Sequence, residues 1–198
     1  MGETEKGDRP PESGDIIPLL EPLIALGKLL EHFENQGVII GGIAASLLGQ
    51  PRFTADLDAV ILLSIDDLPE LTGAAREQGI VPRMAEAEAF ARENRVLLLQ
   101  HQSSRINIDI ALGILPFESE MVARSRIWEI GNLEVRLPTP EDLIILKAVA
   151  HRPQDLVDIQ AVAANHPDLD QDRVRFWVEQ FGEALELPDL WEQVSQLL

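Results

Sequence analysis

Residues 37–61 read GVIIGGIAASLLGQPRFTADLDAVI. Gly37-Val38-Ile39-Ile40 is a short apolar run predicted to be a buried strand, and Gly41-Gly42 turns it tightly into a helix running to Leu48. A second strand is expected over Ala55–Leu63. Successive side chains of a strand alternate between faces, so Asp56 and Asp58 project from one side while Leu57 packs on the other. If the extended run begins as early as Arg52, then Arg52 and Thr54 share the face of the two acids.

Further along, Asp109 interrupts the apolar run Ile106-Asn107-Ile108-Asp109-Ile110. These β-forming neighbours predict a strand in which an unpaired, buried carboxylate is costly. A metal ion removes that cost. Mg²⁺ takes hard oxygen ligands and is commonly held by one or two carboxylates together with substrate phosphates. Two such ions about 4 Å apart stabilise both the attacking and the leaving oxygen of an in-line displacement. Asp56 and Asp58 are therefore the expected metal ligands, with Asp109 as third ligand or base. The glycines fit this chemistry, because backbone at Gly41-Gly42 can approach a ligand closely and the following helix offers its amide end to phosphate.

The chain resembles the nucleotidyltransferase fold of the DNA polymerase beta superfamily, and within it the minimal nucleotidyltransferases related to abortive-infection and toxin–antitoxin enzymes. Gly41, Gly42, Arg52, Thr54, Asp56, Asp58 and Asp109 carry the resemblance, with the stretch from Thr139-Pro140-Glu141-Asp142 through Lys147 to Arg152-Pro153-Gln154-Asp155-Leu156-Val157-Asp158-Ile159. It implies that the glycine turn holds the phosphates of an NTP, that Asp56, Asp58 and Asp109 bind Mg²⁺ (or Mn²⁺), and that Lys147 contacts the nucleotide. It also implies an antitoxin as a partner. Many members carry Ser after the first Gly. Here Gly42 removes that hydroxyl and leaves backbone contacts.

Other residues have structural readings beside the functional one. Lys147 lies in the apolar helix Leu143–Ala150, where a Lys stem packs and its head reaches water. Pro153 restarts a helix, making Asp155 an acid of the first turn at the positive helix end. Asp158 is placed one turn on, within reach of Arg152 or Lys147, and both acids are read as structural. His32, His101, His151 and His166 have no zinc-site spacing.

Composition bounds the partners. The chain has 198 residues, 45% hydrophobic content, no cysteine and a formal net charge of −18. Disulfides and thiolate chemistry are excluded. No apolar run reaches the roughly 20 residues of a membrane span, and a cytoplasmic location is expected. Such a charge repels polyanions unless Arg83, Arg92, Arg95, Arg105, Arg124, Arg126 and Arg136 gather on one face, so a small-molecule or protein acceptor is favoured over RNA.

The expected architecture is α+β, a mixed β-sheet flanked by helices with a helical C-terminal part. Residues 1–15 are expected to be a disordered tail, 16–138 the nucleotidyltransferase core and 139–198 a helical region packed on it. Helices are expected over 16–36, after Ser64 (with Asp66 and Asp67 in the first turn), and over 86–93. Strands are expected over 95–101 and 105–111, and a hairpin joins 127–130 to 133–137 about Gly131-Asn132. Thr139 caps the next helix, with Pro140 at its first position and Asp142 completing a capping box. Two more helices begin near Asp170 and Pro188, carrying Phe176, Trp177, Phe181 and Trp191 into the core. The functional expectation is nucleotide transfer to a hydroxyl acceptor, the alternative being an inactive module of the same fold that binds nucleotide or protein.

Overall fold

The computed structural model describes residues 17–130 and 133–198. The expected tail over 1–15 and the Gly131-Asn132 turn lie outside them. Helix α1 (Ile17–His32) leads into strand β1 (Gly37–Ile40), helix α2 (Gly41–Leu48) and strand β2 (Asp56–Ile61). A 3₁₀ turn over Ile65–Asp67 feeds α3 (Leu68–Glu77), then β3 (Ile80–Pro82), α4 (Ala87–Asn94), β4 (Val96–His101) and β5 (Asn107–Leu112). Next come α5 (Pro116–Arg124), β6 (Arg126–Ile130) and β7 (Leu133–Leu137). The helices α6 (Pro140–Ala150), α7 (Pro153–Asn165), α8 (Gln171–Ala184) and α9 (Leu190–Ser195) complete the chain.

Five strands form one mixed sheet in the order β1-β2-β5-β4-β3. β2 and β5 are parallel, while β1, β4 and β3 join them antiparallel. The hairpin β6-β7 forms a second small sheet. On β5 and β4 the alternation is regular: Ile108, Ile110, Leu112, Leu97 and Leu99 are buried on one face, and Asn107, Asp109, Leu98 and Gln100 stand half-buried on the other. Asp109 is thus not enclosed among its isoleucines, as its apolar neighbours suggested. Ile108 and Ile110 point away from it, because the strand has a period of two.

Local chemistry accounts for the boundaries. Ser64 accepts from the Asp66 amide at 3.2 Å while Asp67 accepts from the Ser64 amide at 3.0 Å, closing a capping box on the 3₁₀ turn. Helix α5 was not expected, although Pro116 opens it and Glu118 accepts the amides of Ile114 and Leu115 at 2.7 and 2.8 Å. Thr139 caps α6 through the Asp142 amide at 3.3 Å. Asp142 does not complete a box there. Its carboxylate is fully buried and taken by Arg173, whose Nε and Nη2 each lie 2.8 Å away, with Arg124 at 3.5 Å.

Among the four aromatics assigned to the core, Phe176 is more than half exposed. Trp177 and Phe181 do pack edge-on against the buried Phe117, with ring centroids at 5.3 and 5.5 Å. The arginines are dispersed over internal partners: Arg92 with Asp66, Arg95 with the Leu112 carbonyl, Arg124 with Asp142, Arg136 with Ser125 and Arg83 with Asp109.

Candidate active site

The register of the sheet puts the acids side by side. Asp58 pairs with Ile40 on β1 and with Asp109 on β5, and Asp109 in turn faces Leu98 on β4. Asp56, two residues earlier, faces Asn107, which faces Gln100. Asp56, Asp58 and Asp109 therefore project from one sheet face at the ends of neighbouring strands, although 51 positions separate Asp58 from Asp109 (109 minus 58).

The glycine turn closes on this row. Gly41 has φ +68°, a left-handed conformation suited to Gly, and a Cβ there would fall on the Asp58 carboxylate. Helix α2 begins with no side-chain cap, so its first amides are left for another acceptor. A Cβ on Gly42 would meet Thr54 Oγ1 at 2.5 Å. The room a Ser side chain would take is filled by the Thr54 hydroxyl, so a hydroxyl stands beside the second glycine after all. Thr54 is buried and donates toward Asp56 Oδ1 at 3.2 Å. Strand β2 starts at Asp56, so Arg52 and Thr54 reach the site from a loop and not as strand neighbours.

The other wall comes from α6 and α7. Lys147 is 4% exposed, with Nζ 2.9 Å from Asp155 and 2.8 Å from Asp158. Arg52 makes a two-nitrogen fork on Asp158, both contacts at 2.9 Å, and Arg152 Nε lies 2.7 Å from Asp155. Asp158 therefore pairs with Lys147, as expected, and with Arg52, 106 positions away, but not with Arg152. Burial would raise Asp155 and Asp158, yet hydrogen bonds from Arg152, Arg52 and Lys147 outweigh it and hold both below the ordinary carboxylate value. An ammonium has three donors. Two serve these acids.

Between the walls lies an open cleft of about 550 Å³, lined by Gly41, Gly42, Arg52, Thr54, Asp56, Asp58, Asp109, Lys147, Arg152 and Asp155 among others. Four carboxylates against three cations leave the lining acidic. Asp58 is pushed up to about 6, first by burial and then by the charges of Asp56 and Asp109. Asp109 is also raised, by burial and by Asp56, against the opposing pull of Arg83.

Arg83, one of the arginines that could have gathered into a basic face, instead engages Asp109 with Nη1–Oδ1 at 3.0 Å and Nη2–Oδ2 at 3.2 Å. The first contact lacks hydrogen-bond geometry, leaving Asp109 Oδ1 shielded from solvent without a donor. Among the described residues no three His, Cys, Asp or Glu side chains are gathered as a ready metal cage. The donor set nevertheless suits a hard divalent cation: carboxylates on one face, one of them short of a donor and another held at a raised pKa by burial and then by its neighbours' charge.

The family model described as "Nucleotidyl transferase AbiEii toxin, Type IV TA system" matches residues 25–197. Among solved structures the chain is similar to an antigenic nucleotidyltransferase-like protein from Paracoccidioides brasiliensis, with 15% identity, a TM-score of 0.53, and 94% of this chain and 95% of that chain covered. That likeness concerns the fold alone. No curated protein matches the sequence. The family match takes in the glycine turn, the D-x-D strand, Asp109 and both helices of the cationic wall. The chain belongs to the AbiEii family of nucleotidyltransferase toxins of type IV toxin–antitoxin systems.

Proposed function

We propose that the chain transfers a nucleotide from an NTP to a hydroxyl acceptor, with pyrophosphate as the leaving group and with the help of Mg²⁺ or Mn²⁺. The observation that carries this reading is the placement of Asp58 directly between Gly41 and Asp109, at the floor of a cleft whose opposite wall is cationic. The acidic lining would repel a triphosphate unless a cation entered with it. Held by Asp56 and Asp58, with Asp109 completing the set, the divalent ion would neutralise the triphosphate and polarise its reacting phosphoryl group.

The chain's own residues supply the rest. The amides at Gly41 and Gly42 seat phosphate oxygens at the α2 end, with the Thr54 hydroxyl beside them. Arg52 and Lys147 add positive charge from the other wall, and Asp155 and Asp158 fix where that charge sits. Asp109, on the same sheet face as Asp58, would complete the set and help take the proton of the acceptor hydroxyl.

With a net charge of −18, the surface favours a compact metabolite or a protein acceptor over extended RNA. We assign the chain an antitoxin partner on its family, and a cytoplasmic site of action. No helix among the described residues is long and apolar enough to cross a membrane.

The test is incubation with each of four labelled NTPs, Mg²⁺ or Mn²⁺, and separate pools of cellular protein, small metabolites and RNA. Metal-dependent labelling of protein or metabolite, lost on Asp56→Asn, is the expected result. Asp56-dependent labelling of RNA would overturn the acceptor preference. No labelling, together with no nucleotide binding, would contradict catalysis.

A further inference from the structure

Arg83 follows the edge strand β3, and its amide donates to the Leu98 carbonyl on β4 at 3.2 Å. Leu98 in turn faces Asp109 on β5. The guanidinium therefore reaches across β4, about 10 Å or two strand spacings, to cover the third acid of the site. Both of its terminal nitrogens are used on both carboxylate oxygens. A fork of this kind is the way an arginine grips a carboxylate most firmly. Yet the contact is imperfect, since Asp109 Oδ1 keeps no hydrogen-bond donor, and the two side chains remain 27% and 32% exposed. It is a pair that an incoming ion can break.

We propose that Arg83 is an internal cation that occupies Asp109 until a divalent ion displaces it, so that Asp109 joins Asp56 and Asp58 only on metal loading. This inference rests on the nucleotidyl-transfer reading of the site. It gives the molecule a reason to carry a basic residue on the far side of an acidic row: the empty cleft is spared one uncompensated carboxylate, at the expense of metal affinity. Arg83 acts through Asp109 and is a positioning residue.

The test measures Mn²⁺ alone binding to the full chain by titration calorimetry, after chelator treatment, at pH 7.5 and without nucleotide. Arg83→Gln should bind Mn²⁺ about two- to fivefold more tightly than the unaltered chain, the scale of a partly exposed charge pair removed. Arg83→Lys, which keeps the charge but loses the fork, should show a smaller gain. In an Asp109→Asn background, Arg83→Gln should bring no gain, because the competition is for that carboxylate. Equal or weaker binding by Arg83→Gln overturns the proposal, as does an undiminished gain in the Asp109→Asn background, which would reveal only a general charge effect. Asp58→Asn separates the two levels. If it leaves Mn²⁺ affinity unchanged, the metal site itself fails; if it weakens binding while Arg83→Gln has no effect, only the displacement fails.

Discussion

Gly41 and Asp58 are packed so closely that a methyl group on the glycine would occupy the position of the aspartate carboxylate. The left-handed backbone at Gly41 and the orientation of the acid are therefore one feature of the site. Gly41→Ala should cost about 2 kcal/mol of stability through the left-handed conformation and the displaced side chain. It should also weaken metal-dependent nucleotide binding more than the stability loss explains. Thermal unfolding and nucleotide titration of the same preparation check both.

Asp58 predicts a pH dependence. Its folded pKa of about 6 lies above the ordinary 3.8, so the folded state binds the proton more tightly, and this group's contribution is fully present below pH 4. It is lost as pH rises toward 6 and beyond. The shift is worth about 3 kcal/mol at face value and about 1–2 kcal/mol after solvent screening. Metal-free Asp58→Asn should match the unaltered chain near pH 4 and exceed it by that amount at pH 8. Denaturant unfolding across that range is the measurement. Asp155 and Asp158, held low, lose their contribution as pH falls below 4 in both proteins and cancel from the difference.

The Thr54 hydroxyl takes the room beside Gly42. Gly42→Ser should therefore fail to improve nucleotide binding and should lower stability by about 1–2 kcal/mol through overpacking. Thr54→Val should leave the fold intact while weakening nucleotide binding several-fold. A gain in binding from Gly42→Ser would show that the two hydroxyls are not alternatives.

Lys147 binds two buried acids, so its removal leaves both without their shared cation. Lys147→Ala should lose about 2–3 kcal/mol of stability even without nucleotide, through the lost packing of its buried stem and its lost bonds to the two acids, each of which keeps an arginine partner. Lys147→Met, which keeps an apolar stem without the charge, should lose less. Thermal unfolding of the series decides it, and a stable Lys147→Ala would mean that the network has little structural value.

Much of the acidic wall was legible because its signals are local. The alternation about Leu57 puts Asp56 and Asp58 on one face, and Gly41-Gly42 marks the turn by composition. The arginine partners of Asp158, Asp142 and Asp109 were not legible. Arg52 is 106 positions from Asp158, Arg173 is 31 from Asp142, and Arg83 is 26 from Asp109; each reaches its partner through tertiary packing that no periodicity records. Arg83 was harder still, since β3 is three residues ending in a proline and shows no alternation to read. Helix α5 did carry its signals, Pro116 and Glu118, but Leu115 offers no capping side chain to draw attention to them.

The central claim is that Asp56, Asp58 and the Gly41-Gly42 turn hold a nucleotide together with a divalent ion. The most direct measurement is calorimetric titration of the four NTPs into the unaltered chain and into Asp58→Asn at pH 8, with Mg²⁺ and with chelator. At least one NTP should bind the unaltered chain only with Mg²⁺, and none should bind Asp58→Asn detectably although it folds. Binding of equal strength in chelator, or retained by a folded Asp58→Asn, would contradict the assignment.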